Sequence, residues 1–276
     1  MKHAARMTIL ALSMALIAAI LAVPTTSTAT QGGSVTVEWL GWNGWRFTSP
    51  TGKVVLANPR ITRNADAPLS VDDIQQASLI LVTNGHGDEV GNSVEIAQRT
   101  GAVVVPGAFE LGQWFINMGV PREQVRTTSP GSRAVVDGIT VRVVHSIHGV
   151  GVNPVENIYT SGIAGAFFVT FENGSTLYYG GSGSATQDMA MWAAAYQPDA
   201  AVIHMGGDKE PMDYAMAVRL LMTDNPNLTA LFPGHHLFVP RPGQTTVADV
   251  QAAIDSFGLG LTVTEPAPGV PYTFTK

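Results

Sequence analysis

Ser78-Leu-Ile-Leu-Val-Thr-Asn-Gly-His-Gly-Asp-Glu89 is the stretch on which the reading of this chain turns. A short apolar run bounded by turn residues has the pattern of a buried strand. The Gly-rich turn that follows carries His86, Asp88 and Glu89. Imidazole and carboxylate groups gathered at the tip of a buried strand suit zinc, manganese or iron. The end of such a strand is also where α/β folds gather their ligands.

Outward from that strand, apolar runs of similar length recur between Gly, Pro, Asn and Asp. Val35 to Leu40 alternates as a half-buried strand does, and Trp45 to Phe47 and Val54 to Ala57 continue it as a meander around Ser49-Pro-Thr-Gly52. Asn92 is a good helix cap, and a helix is expected over Ser93 to Arg99. A strand over Ala102 to Val105 and a helix over Phe109 to Met118 follow, the latter stopped by Gly119 and Pro121.

The second half has the same style. Asp137-Gly138 and Glu172-Asn-Gly-Ser175 each separate two strand-like runs, which is a hairpin signal. Helices over Asp188 to Tyr196, Pro211 to Met222 and Val247 to Phe257 alternate with strands over Ala200 to His204 and Ala230 to Phe232. Two halves, each a β-meander followed by alternating β and α elements, predict two packed sheets with helices outside. That is an αββα sandwich.

Most histidines follow a predicted strand. His86, His148 and His235 lie just past strand ends, and His204 ends its own strand. Strand ends on one sheet edge converge, so these side chains are expected to cluster. His145 sits within the run before His148 and is read as structural.

Composition bounds the function. The chain of 276 residues is 45% hydrophobic, enough for a sizeable core, and its net charge is −6. There is no cluster of Lys and Arg, which excludes nucleic acid as the natural partner. A small-molecule substrate is expected instead, and the oligomeric state is open. With no cysteine, disulfides, thiolate ligands and a thiol nucleophile are excluded.

Lys2 and Arg6 precede an apolar run from Met7 to Val23, then Pro24 and Ser27-Thr28-Ala29. This is the pattern of a signal peptide, residues 1–29, cleaved after Ala29. An uncleaved anchor helix is the alternative, though the run is short of the roughly 20 residues a span needs. The expected mature protein, residues 30–276, is a single periplasmic or secreted domain without a membrane anchor.

Seven motifs occur in order: Leu40-Gly-Trp42, Leu56-Ala-Asn-Pro59, Thr83-Asn-Gly-His-Gly-Asp-Glu89, Ile147-His-Gly-Val-Gly151, Leu177-Tyr-Tyr-Gly-Gly-Ser-Gly183, Met205-Gly-Gly207 and Phe232-Pro-Gly-His235. Their order and spacing resemble the metallo-β-lactamase superfamily, in particular the predicted metal-dependent hydrolases related to ascorbate-6-phosphate lactonase. The resemblance runs from about Val35 to Glu265. It implies a first metal site at Asn84, His86 and His148, and a second at Asp88, Glu89 and His235, bridged from position 182. The family's ligand motif, T-H-x-H-x-D-H, is altered here. Asn84 and Glu89 stand where it has histidine, and Ser182 stands where it has the bridging aspartate. Trp42 and Asn58 replace a further histidine and aspartate.

His86, Asp88, Glu89, His148 and His235 remain as candidate ligands for one divalent ion, zinc first, with manganese or iron as alternatives. The expected activity is metal-assisted hydrolysis of a lactone, amide or phosphoester, with Asp88 as general base. Trp42, Asn58, Asn84 and Asp208 are expected to line the pocket. Ser182, in Gly181-Ser-Gly-Ser184, is a rival nucleophile. The competing reading is a non-catalytic binding protein of the same fold that has lost its metal site.

Overall fold

The computed structural model describes residues 32–150, 161–206 and 209–276. The expected signal peptide, residues 1–29, and the pocket candidate Asp208 therefore lie outside the described residues. All the elements below belong to one compact unit, Gln31–Lys276.

Strand β1 (Val35–Trp39) buries Val35, Val37 and Trp39 and leaves Thr36 and Glu38 half-buried, the alternation of a strand with one face on the core. It pairs antiparallel with β2 (Trp45–Thr48), which pairs antiparallel with β3 (Val54–Ala57). Next come β4 (Leu79–Val82) and β5 (Val103–Pro106), both parallel, with β4 beside β3. All four residues of β4 are buried, as expected of a strand covered on both faces.

The second sheet begins with the hairpin of β6 (Arg133–Val136) and β7 (Ile139–His145). Its turn residues Asp137 and Gly138 have φ of 51° and 88°, the two left-handed positions of a two-residue hairpin. Antiparallel pairing continues through β8 (Gly165–Thr170) and β9 (Thr176–Tyr179). Parallel pairing then adds β10 (Ala200–His204) and β11 (Ala230–Gly234).

Three apolar layers hold these sheets together. Between the sheets lie Trp39, Trp45, Phe47 and Leu81 from the first and Val141, Phe167, Tyr179 and Phe232 from the second. Outside the first sheet, α2 (Ser93–Thr100) and α3 (Phe109–Asn117) pack Ile96, Leu111 and Phe115 on Leu56, Ile80 and Val104. Outside the second, α4 (Asp188–Tyr196), α5 (Pro211–Leu221) and α6 (Val247–Ser256) pack Trp192, Val218 and Ile254 on Phe168, Ala201 and Leu231. This is the αββα sandwich read from the sequence.

Two elements escaped that reading. A single helical turn, α1 (Gly87–Val90), carries Asp88 and Glu89. A last strand, β12 (Pro271–Phe274), joins the first sheet as the edge neighbour of β1. It begins at Pro271, which an edge strand tolerates because one side needs no ladder donor. Among the described residues, no helix is long and apolar enough to cross a membrane.

Candidate active site at the strand ends

The chain turns sharply after β4. Thr83 N–H donates to Asn58 Oδ1 at 3.0 Å, and His86 N–H donates to Asn84 Oδ1 at 2.9 Å. The second contact is an Asx-type turn, in which a short side chain stands in for backbone. His86 then caps α1. Successive residues of a helix point about 100° apart, so Asp88 and Glu89 leave this turn in different directions.

Strand ends of the second sheet face this turn. β7 leads to His148, β9 to Ser182, β10 ends at His204, and β11 leads to His235. The two sheets are tied here by a bridge between Trp42 and His236, and by His235 N–H donating to Trp42 O at 3.1 Å. Trp42, Asn58 and His235 have φ of 54°, 42° and 58°. Left-handed backbone at three non-glycine positions costs of order 1 kcal/mol each, and strain of this kind gathers at functional sites.

Two side-chain pairs form the accessible part of the site. His86 Nδ1 and His148 Nε2 lie 3.2 Å apart. Burial, aided by the neighbouring His86 and His235, pushes His148 down to about 4, so this imidazole is neutral at ordinary pH. In the second pair, His235 Nε2 is 3.3 Å from Asp88 Oδ2, which also accepts from Trp42 Nε1 at 3.0 Å. Burial raises Asp88, but the hydrogen bonds from His235 and Trp42 outweigh it and hold the carboxyl well below its usual range. A permanent anion orients water well but is a weak proton acceptor, which weakens the base role expected of it. For His235, burial is outweighed by the Asp88 hydrogen bond and the Glu89 charge, and its pKa is raised.

Glu89 is fully buried. Its carboxylate accepts from Asn43 Nδ2 at 2.9 and 3.1 Å and from Thr83 Oγ1 at 3.1 Å. Asn58 Nδ2 and Ser182 Oγ also donate to it. Burial pushes Glu89 up to about 7, against the lowering influence of His235. Ser182 is 2% exposed and its hydroxyl is turned into this carboxylate rather than toward solvent.

Among the described residues, no three His, Asp and Glu side chains stand together as a ready-made metal-holding group. The five ligands expected to serve one ion are instead divided. His86 faces His148, Asp88 faces His235, and Glu89, 3.7 Å from His235, is buried among neutral donors. Asn84 is buried with its Nδ2 unpartnered. His145 lies apart, 3.2 Å from Asp188 and stacked edge-on against Trp192, a structural role as read from the sequence.

Trp42 lines a small cleft with His236, Leu237 and Thr245. Arg60 lies over its ring, 5.6 Å from the centroid. Sequence reasoning missed one residue and left another without a role. Asn43 sits in a Trp-Asn-Gly turn that signals only a loop. His204 ends its strand, but nothing in the sequence gave it a task. Its Nδ1 lies 2.8 Å from Ser182 O and must carry the proton. Nε2 is left as a buried lone pair without a partner, on a ring 4.5 Å from that of His235.

The β-lactamase superfamily domain matches residues 44–254 of this chain. A protein of Koribacter versatilis described as a UPF0173 metal-dependent hydrolase is 30% identical over 189 residues, covering 67% of this chain and 79% of the relative. One of a Roseiflexus species with the same description is 26% identical over 249 residues, covering 87% and 98%. Among solved structures, Igni18, a metallo hydrolase from Ignicoccus hospitalis, superposes with a TM-score of 0.73 at 21% identity. It covers 88% of this chain and 100% of its own. The chain therefore belongs to the β-lactamase superfamily and, within it, to the UPF0173 metal-dependent hydrolases.

Proposed function

We propose that this protein hydrolyses a lactone, amide or phosphoester with the help of a single divalent ion, zinc first. The observation that carries the reading is the His86–His148 pair. Two nitrogens each about 2.05 Å from a tetrahedral zinc stand roughly 3.3 Å apart, and these two stand 3.2 Å apart. His148 is also kept neutral by burial, the state in which imidazole binds a metal. Glu89 does not fit as a ligand, because both its oxygens are already taken by neutral donors.

When bound, such an ion lowers the pKa of water and polarises the group under attack. The protein's own residues do the rest. Asp88, ionised and pinned by Trp42 and His235, accepts a hydrogen bond from the attacking water and fixes its direction. Trp42, with the Arg60 guanidinium over its ring, offers an aromatic wall beside Asp88. The basic, apolar N-terminal segment supports export to the periplasm or medium, with cleavage after Ala29.

A second reading, a binding protein without catalysis, is favoured by Asn84, whose oxygen is spent on the His86 backbone. Elemental analysis of the purified mature protein separates the two. About one ion per chain, lost in His86→Ala and in His148→Ala while circular dichroism is unchanged, supports the hydrolase. Turnover that survives both substitutions refutes it. No ion after incubation with zinc, manganese or iron favours the binding protein.

A further inference from the structure

We propose that the Glu89 carboxylate, with the neutral donors around it, occupies the place of a second ion. On this assignment the chain is built for at most one ion, and Glu89 is a positioning residue for His235 rather than a ligand. A carboxylate offers about four lone-pair sites. Glu89 receives contacts from four residues, Asn43, Asn58, Thr83 and Ser182, spread over both oxygens. A cation could reach it only by stripping these donors from a carboxylate that is 0% exposed.

The substituted positions are complementary. The family resemblance puts carboxylates at 58 and 182 and an imidazole at 89. Here both carboxylates have become donors, Asn58 and Ser182, and the imidazole has become an acceptor. Each change alone would be costly. Glu89 beside two aspartates would bury three like charges, and Asn58 with Ser182 beside an imidazole would leave donors unmatched. Made together they satisfy one another. The donors are themselves held. Asn58 Oδ1 accepts from Thr83 N–H, and Tyr179 Oη donates to Asn43 O at 2.7 Å. His235 Nε2 then stands 3.7 Å from Glu89 Oε1 and 3.3 Å from Asp88 Oδ2, fixed between two carboxylates with no ion required.

The experiment counts ions by native mass spectrometry on the folded mature protein saturated with zinc, alongside thermal unfolding. Wild type is expected to hold no more than one zinc, and Asn58→Asp/Glu89→His/Ser182→Asp to hold one more than wild type. Ser182→Asp alone should lower Tm by about 5 °C or more, and adding Glu89→Gln, which turns a donor toward the new carboxylate, should restore most of that loss. In zinc-free protein, Glu89→Gln should move the His235 side-chain 15N resonances. Two zinc ions in wild type, a fully stable Ser182→Asp, no rescue by Glu89→Gln, or an unmoved His235 would each overturn the assignment. Zero zinc in wild type would refute a zinc-loaded hydrolase and leave this assignment standing.

Discussion

Gly206→Ala tests whether the segments that leave β10 and β11 are packed backbone against backbone at the site. A Cβ at Gly206 would lie 1.7 Å from His235 O, 2.7 Å from His235 C and 3.0 Å from His236 Cα. All three atoms are backbone, so no side-chain rotation relieves the clash. Reaching 3.0 Å, the shortest separation real Cβ atoms show, requires the two segments to part by at least 1.3 Å. The neighbouring backbone resists this, because Met205 N–H donates to Gly234 O at 3.0 Å and His235 N–H to Trp42 O at 3.1 Å.

A shift of that size away from Asp88 would carry His235, which meets it at 3.3 Å, beyond hydrogen-bond reach. Overpacking a tight site costs roughly 1–3 kcal/mol, and more when backbone must move. For a domain of this size that is a fall in Tm of about 2–12 °C. Misplacement by an ångström also costs about a hundredfold in turnover. Thermal unfolding and hydrolysis are measured beside wild type. A Gly206→Ala protein that unfolds within about 2 °C of wild type and keeps its turnover would refute the reasoning.

Three further outcomes are expected. Tyr179→Phe removes the donor to Asn43 O and should cost about 1–2 kcal/mol in urea unfolding; no change would mean the carbonyl finds another partner. His236→Phe keeps a ring stacked on Trp39, 4.4 Å away, while removing a titrating group. Burial, aided by His235, pushes His236 down from 6.5 to about 4, so the unfolded chain takes up this proton first and wild-type stability falls as pH drops through that window. The variant should lose less over that window, by up to about 1.4 kcal/mol per pH unit, and parallel pH–stability curves would contradict this. Finally, His86→Ala and His148→Ala should each abolish metal retention without unfolding the protein, and an ion still held by both would move the metal elsewhere.

The fold was legible because it rests on local signals that repeat. The apolar run ending at Val82, the Asp137-Gly138 turn and the period of α5 and α6 each constrain only nearby backbone, and together they leave few architectures. The clustering of His86, His148, His204 and His235 followed from the same logic, since strand ends on one edge meet. β12 was hidden because its partner, β1, lies more than two hundred residues earlier in the chain.

The sequence by itself determined the layers, the superfamily and the edge at which chemistry sits, because hydrophobic period and turn chemistry are written residue by residue. Only the tertiary structure decided what each polar residue does there. Asp88 and Glu89 are neighbours in sequence and both carboxylates, yet one helical turn sends the first to Trp42 and His235 and the second into a buried nest of donors. Asn43 and Asn58 reach Glu89 from 46 and 31 residues away, and Ser182 from 93. Hydrogen bonds of such range depend on how the two sheets close, which no local pattern encodes.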